Sequence, residues 1–473
     1  MNTLTKTSIK FISGNTIYSY NISPYQVYCD NFVSEENKDE ITEYRKLIIE
    51  RGKHHEIRVY EKLFNGIKPV EFTSDEKGYE KTLQLLKNGT ELISNCPLLL
   101  NEESLIGKPD IIEKTSGQSL FGDYHYIIKE IKSSKNIKKS HIMQACFYNY
   151  LIGKIQNYTP EKFYIINKDM EILEYEYNHY KEELFKQISK IKEILNGKII
   201  SPEYGLEWPW NKYSKKEATR LQDLSLLQGV GNSVKEQLNE LGIKTLKDLL
   251  NIQINTKIKG ISEERIESLK LNAEAIIENK FIIIKKPEFK RYDVEIFFDF
   301  EGILDLDEEE LSAQYLIGCL VRKNNHEEFI PFLAKKIEDE EKMFKEFAEY
   351  LRKEKDFVLY HYANYESVQI KKLGKKYGID VDFISERMVD LLKILKQSVM
   401  CPTSGNSIKT IAPLLGFNWR QLGIKGDDSI YLYLEYLKTN DEKILDSIVR
   451  YNEDDVIATR VVKDWLEKLT NNP

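Results

Sequence analysis

Residues 105–148 carry the most informative alternation of apolar and polar positions in the chain. LIGKPDIIEK and YHYIIKEIKSSK alternate with a period of two, which predicts two strands, and HIMQACFYNYLI changes to helical spacing. Before them, residues 1–37 read as short strands around the turn-prone NISPYQ. Residues 35–64 have apolar positions three and four apart and predict a helix. After them, EKFYIINKD and MEILEYEYN predict two more strands, and KEELFKQISKIKEILNG a closing helix with Gly197 beyond its end. The pattern lapses over 198–215, where two prolines and two tryptophans predict a linker whose tryptophans pack a hinge. Residues 221–251 then read as helices around a glycine turn. From residue 294 a third regime begins. VEIFFDFEG, QYLIGCLVRK and EFIPFLA predict a meander, and IEDEEKMFKEFAEYLRKEKD a helix. FVLYH predicts a strand leading into a helix that begins near Asn364, Tyr365 and Glu366, and the last helix contains Tyr451 and Asp455.

Composition narrows the function classes. A chain of 473 residues, 41% hydrophobic and 31% charged, can build two or three domains with cores of their own. It has no apolar run of about eighteen residues, and its first residues lack a signal-peptide core, so a cytoplasmic protein with no membrane partner is expected. Cys29, Cys96, Cys146, Cys319 and Cys401 are scattered without C-x-x-C pairing, which predicts reduced structural thiols. A net charge of -7 argues against a protein that simply coats nucleic acid. Lysine-rich runs at Lys129–Lys139 and Lys285–Arg291 nevertheless allow local attraction to phosphates. No G-x-x-x-x-G-K-[ST] loop is present, so no intrinsic ATPase motor is expected.

The central strands carry chemistry as well as a pattern. Asp110 heads one, and Glu130 and Lys132 share a side of the next. Two converging carboxylates can hold a divalent cation through hard oxygen ligands, and a lysine beside them can orient or deprotonate water. The set Gly107-x-x-Asp110, Glu130-x-Lys132 and Gln144-x-x-x-Tyr148 resembles the RecB-like branch of the PD-(D/E)XK nucleases. That resemblance implies a restriction-endonuclease-like α/β fold over residues 1–200, with Asp110 and Glu130 as metal ligands. Lys132 would assist the water, and Gln144 and Tyr148 would lie beside the phosphate. Such nucleases carry a helix with a further ligand near Gly52. Here Glu56 holds that place, with His55 as second choice, and an oxygen donor suits Mg²⁺ or Mn²⁺. Some relatives bear a four-cysteine iron-sulfur cluster, but this domain lacks the cysteines, so none is expected.

The run Leu226-Leu227-Gln228-Gly229-Val230-Gly231, followed by an amphipathic helix and LGIKTLKDLL, resembles a helix-hairpin-helix module. The resemblance implies a linker and small all-α DNA-binding domain over residues 201–285, with Gly229, Val230 and Gly231 at the hairpin. A glycine turn of this kind lets backbone N–H groups at the next helix start face a phosphate, which binds backbone rather than sequence.

Farther on, Asp299 and Glu301 share one face of an apolar strand, and two acids there cost desolvation energy unless a cation neutralises them. D-x-E, a later acid after Asn, and Y-x-x-x-D resemble the DEDD exonucleases of the ribonuclease-H-like fold, in the subtype with a tyrosine before the last Asp. The resemblance implies an α/β domain over residues 286–473 in which Asp299, Glu301, Glu366 and Asp455 hold two cations about 4 Å apart while Tyr451 orients water. Glu366 stands where that family has Asp, and Asp390 is a fallback ligand. Asp454 is expected to be an outward-facing helical acid.

Together the three segments resemble RecB-like nucleases with a C-terminal ribonuclease-H-like domain. The implied function is Mg²⁺- or Mn²⁺-dependent hydrolysis of DNA phosphodiesters, with a second 3′–5′ exonuclease-type centre, in repair, recombination or defence. Two alternatives stand beside it: a non-catalytic adaptor that recruits a helicase or repair complex, and an exonuclease acting on RNA.

Overall fold

The computed structural model describes residues 10–252, 260–303, 312–324, 326–420, 424 and 426–471; most of the amino-terminal stretch considered for a signal sequence, residues 1–9, lies outside them. The chain divides near residue 217 into two compact units.

In the first unit a five-stranded sheet runs in the order Leu92–Ser94, Ile111–Ser119, Gly122–Ile131, Lys162–Ile166 and Ile172–Glu176. Gly122–Ile131 and Lys162–Ile166 are parallel, and the other neighbours are antiparallel. The helix Lys139–Ile155 supplies much of the core, with Met143, Phe147, Leu151 and Ile152 all fully buried. Its all-round apolar sequence is that of a helix covered on every side.

Within residues 1–37, the described part from residue 10 departs from the strands expected of it. Past the short strand Ile12–Ser13, the chain forms helices Gly14–Ile22 and Pro24–Phe32. Their start signals are local: Ser13 caps the first through the Thr16 N–H, and Ser23 caps the second with Pro24 at its first position. Capping chemistry outweighed the apparent alternation.

Two glycines let these pieces close on Tyr148. A Cβ on Gly14 would stand 2.1 Å from the Tyr148 hydroxyl, and one on Gly107 would stand 2.7 Å from its ring. Gly14→Ala is therefore expected to destabilise this unit by about 1–3 kcal/mol, because backbone or ring must move. Urea unfolding followed by tryptophan fluorescence measures it, and an unchanged midpoint would show that Tyr148 is not held there.

In the second unit a five-stranded sheet runs His326–Leu333, Ala313–Lys323, Val294–Ile303, Phe357–His361, Met388–Asp390. The first three strands form the expected antiparallel meander, and the last two continue it in parallel. Helix Glu340–Lys353 packs Met343, Phe344 and Phe347 into the main core, and the long helix Glu442–Asn471 contributes Leu445 and Ile448. Helices Asn232–Glu240, Leu246–Asn251 and Glu263–Glu278 precede the sheet in the same unit.

Candidate metal centres

In the first unit Asp110 lies immediately before the strand Ile111–Ser119, and Glu130 lies near the end of the neighbouring strand. The Ile131 N–H donates to Asp110 Oδ2 at 2.6 Å, and the Asp110 N–H lies 3.4 Å from Glu130 Oε2. Lys132 Nζ donates to Glu130 Oε1 at 2.9 Å and to Gln144 Oε1 at 2.8 Å. Gln144 Nε2 in turn donates to the Tyr148 hydroxyl at 3.1 Å. The structure thus joins Asp110, Glu130, Lys132, Gln144 and Tyr148 around one cavity of about 360 Å³. Ser13, Gly14 and Asn15 line it too, from a segment in which the sequence reading found no chemistry.

Electrostatics shows what the cavity lacks. Burial and the nearby Glu130 charge hold Asp110 well above the usual carboxylate range, against the pull of Lys132. Burial pulls Lys132 down, but Glu130 and Asp110 outweigh it and keep the lysine charged. A charged lysine donates hydrogen bonds, and Lys132 gives two of them to Glu130 and Gln144. Glu56 approaches from behind: Tyr60 donates to its Oε1 at 2.7 Å, and the same hydroxyl lies 3.3 Å from the Asp110 carbonyl. Glu56 is not among the residues lining the cavity, but its charge adds to those that raise Asp110. His55 is buried against the Asn167 backbone instead.

The second unit gathers its acids more tightly. Asp299 and Glu301 project from one face of the strand Val294–Ile303, and Asp455 reaches them from helix Glu442–Asn471. One ligand oxygen from each lies within 4.8 Å of the others. Glu366, buried in the first turn of helix Tyr365–Tyr377, lies close enough to Asp299 for its charge to act on that acid. Burial, then the charges of Glu366, Asp455 and Glu301, hold Asp299 well above its ordinary range. Burial and the Asp455 charge push Glu301 up to about 8. Burial also raises Asp455 to about 6, against the opposing Lys409 charge and the Trp419 hydrogen bond.

Several residues outside the sequence motifs hold this cluster. Trp419 Nε1 donates to Asp455 Oδ1 at 2.7 Å, and Ser429 Oγ donates to Glu301 Oε2 at 2.6 Å. Asn452 Nδ2 donates to Asp299 Oδ2 at 3.0 Å. Gly318, opposite Asp299 in the strand pair, makes that last contact possible, because a Cβ there would stand 1.6 Å from Asn452 Oδ1. A strand glycine that admits another group this closely was the one available sequence signal. Lys409 bonds the Tyr451 hydroxyl, which itself bonds Asp455.

One expectation fails here. Asp454 is 1% exposed, so it is not an outward-facing acid: it accepts from the Arg420 N–H at 2.7 Å and from Arg420 Nε at 2.6 Å. Asp390, the fallback ligand, caps helix Leu391–Ser398 and accepts from the Ala363 N–H at 3.0 Å. It braces the turn before Glu366, where Ala363 has a left-handed φ of 80°.

A divalent cation fits this donor set. Four acids converge where burial penalises their charge, and Glu366 Oε2, with His361 Nδ1 3.5 Å away, is a buried acceptor with no hydrogen-bond donor among the described residues. At the hairpin, Gly229 has φ 72°, and the Val230 N–H closes the turn onto Leu227 O at 3.2 Å. Gly231 begins helix Asn232–Glu240 with no side-chain cap, and nothing lies within 4 Å of where its Cβ would be.

Comparison with known families matches the part of the second unit that carries these acids. The RNase_H_2 model, of the RNase_H superfamily, matches residues 296–467. These residues are a ribonuclease-H-like domain. That superfamily suggests nuclease activity in general, and its fold generally uses divalent metals. A comparison with curated proteins returned no match. Among the described residues no helix is long and apolar enough to cross a membrane.

Proposed function

We propose that the protein is a Mg²⁺- or Mn²⁺-dependent DNA nuclease with two centres, a RecB-like PD-(D/E)XK centre in the first unit and a 3′–5′ exonuclease-type centre in the ribonuclease-H-like domain. The observation that carries this reading is the convergence of Asp299, Glu301 and Asp455, with Glu366 beside Asp299, inside a matched ribonuclease-H-like domain. These four acids would hold the cations, which supply an activated water and charge stabilisation for the leaving oxygen. Tyr451, held between Lys409 and Asp455, orients the attacking water through its hydroxyl. Trp419, Ser429 and Asn452 fix the carboxylates so that little reorganisation accompanies reaction.

At the other centre, Asp110 and Glu130 would hold the cation. Lys132 donates to the phosphate or water, and Gln144 keeps Lys132 aimed at the cavity. The hairpin residues Gly229, Val230 and Gly231 contact backbone phosphates through the uncapped start of the helix that follows.

The test is degradation of end-labelled DNA and RNA in Mg²⁺ and in Mn²⁺, with Asp110→Ala and Asp299→Ala made separately and together. Loss in one single variant assigns the reaction to one centre. Cleavage that persists in the double variant, or oligonucleotide binding with no turnover in either metal, rejects the enzyme reading. Lys132→Met is expected to cost roughly a hundredfold or more in the turnover that Asp110→Ala removes, because it deletes a preorganised donor. Unchanged turnover would make Lys132 a structural ion-pair partner of Glu130.

A further inference from the structure

The hairpin is fastened to the segment that reaches the Tyr451 hydroxyl. Gln228 Nε2 donates to Asn406 Oδ1 at 2.9 Å, Asn406 Nδ2 returns a bond to Gln228 Oε1 at 2.9 Å, and Gln228 Nε2 also reaches the Thr403 carbonyl at 3.1 Å. Asn272 ties the same place together, accepting from the Gln228 N–H at 2.9 Å and donating to the Cys401 carbonyl at 3.3 Å. Three residues past Asn406, Lys409 bonds Tyr451. Three residues span at most about 10 Å of chain, so hairpin and centre are separated by no more than a few nucleotides of backbone.

Between the hairpin and this segment lies a cleft of about 200 Å³, with Arg265 and Lys396 among its lining residues and no acid. Neither cation has a carboxylate partner among the described residues. Arg265 donates to the Gln228 carbonyl at 2.7 Å, which leaves its charge uncompensated. The exposed Lys285 backbone lies beside Ser398, two residues from Lys396, and brings the basic run Lys285–Arg291 to the same edge. Unpaired cations held in a cleft, next to an uncapped helix start, attract a polyanion.

We propose that this cleft is a backbone subsite for the nucleic-acid strand whose end occupies the ribonuclease-H-like centre, so that the hairpin serves that centre. The inference rests on the proposed nuclease reading for its substrate class. Arg265 and Lys396 engage consecutive phosphates while the hairpin holds the strand farther from its end.

The experiment uses the full chain with Asp110→Asn, compared with the same chain carrying Arg265→Glu and Lys396→Glu, and with Lys396→Glu alone because Lys396 makes no bond that its loss would break. Anisotropy of a labelled single-stranded oligonucleotide in chelator reads binding without turnover. The double variant is expected to lose at least about tenfold in affinity. The slope of log K against log salt should fall by about 1.4, the value for two phosphate contacts on a single strand. In Mn²⁺, KM for the oligonucleotide should rise while hydrolysis of a mononucleotide p-nitrophenyl ester, too short to reach the cleft, stays unchanged. Unchanged affinity and salt slope overturn the subsite whatever the centre does. Weakened binding in a protein that hydrolyses neither substrate supports the subsite and separately rejects the exonuclease reading of the ribonuclease-H-like centre. An equal loss on both substrates overturns it, because the substitutions would then act through the centre.

Discussion

Asp299→Asn is expected to lower turnover at the ribonuclease-H-like centre on the order of a thousandfold and, in the same protein without metal, to raise the melting temperature of the C-terminal unit. The two effects have one cause. Asp299 is the most heavily burdened acid of the cluster, raised by burial and by the charges of Glu366, Asp455 and Glu301. It is useful only when a cation offsets that burial and repulsion. An amide keeps the shape and retains an oxygen to accept from Asn452 Nδ2, so the fold loses little while the like-charge repulsion falls. It also removes a hard anionic ligand from the group formed with Glu301 and Asp455. Thermal melts in chelator and single-turnover cleavage in Mn²⁺ read the two effects independently. A variant that loses turnover but melts lower would mean that Asp299 is chiefly structural, held by Asn452.

What could be read from the sequence follows from how far apart the cooperating residues lie. Period-two spacing placed Asp299 and Glu301 together, and helical spacing placed Tyr451 one turn before Asp455, because a single element fixes each pair. The same holds for Gln144 and Tyr148, which are hydrogen-bonded one turn apart. Lys409, Trp419 and Ser429 reach the acids only through tertiary packing, and no local period announces them. Asp454 was misread for a related reason. Position on a helix says which face a residue shares, but not that Arg420 will cover that face. Residues 1–37 misled differently, since Ser13 and the Ser23–Pro24 pair are local start signals that were present and outweigh weak alternation. Through that error Asn15 was missed, although it lines the Asp110 cavity and lies 3.4 Å from Gln144 Nε2.

Without metal, the C-terminal unit should become less stable as pH rises from about 4 to about 8. Glu301 titrates near 8 folded against 4.5 as a free side chain, and Asp455 near 6 against 3.8. Within that window the folded state binds more protons than the unfolded chain, and stability then falls as pH climbs. Below the ordinary carboxylate range both states are protonated and this dependence vanishes; above about 8 the contributions of Glu301 and Asp455 level off, while Asp299 continues in the same direction. Each tenfold difference in proton affinity between folded and unfolded chain corresponds to about 1.4 kcal/mol. A cation that binds only the folded unit opposes the loss, by about 2.7 kcal/mol at one hundred times its dissociation constant, and binds best where the acids are ionised. Melting curves at pH 5, 6, 7 and 8 should therefore diverge, descending in chelator and staying level or rising in saturating Mn²⁺. Glu301→Gln should flatten the chelator series, because it removes an acid whose titration window spans that series. A chelator series that rises from pH 5 to pH 8 would show that these carboxylates are neutralised by the protein itself, with Lys409 the nearest candidate, and the cluster would then have no need of a cation.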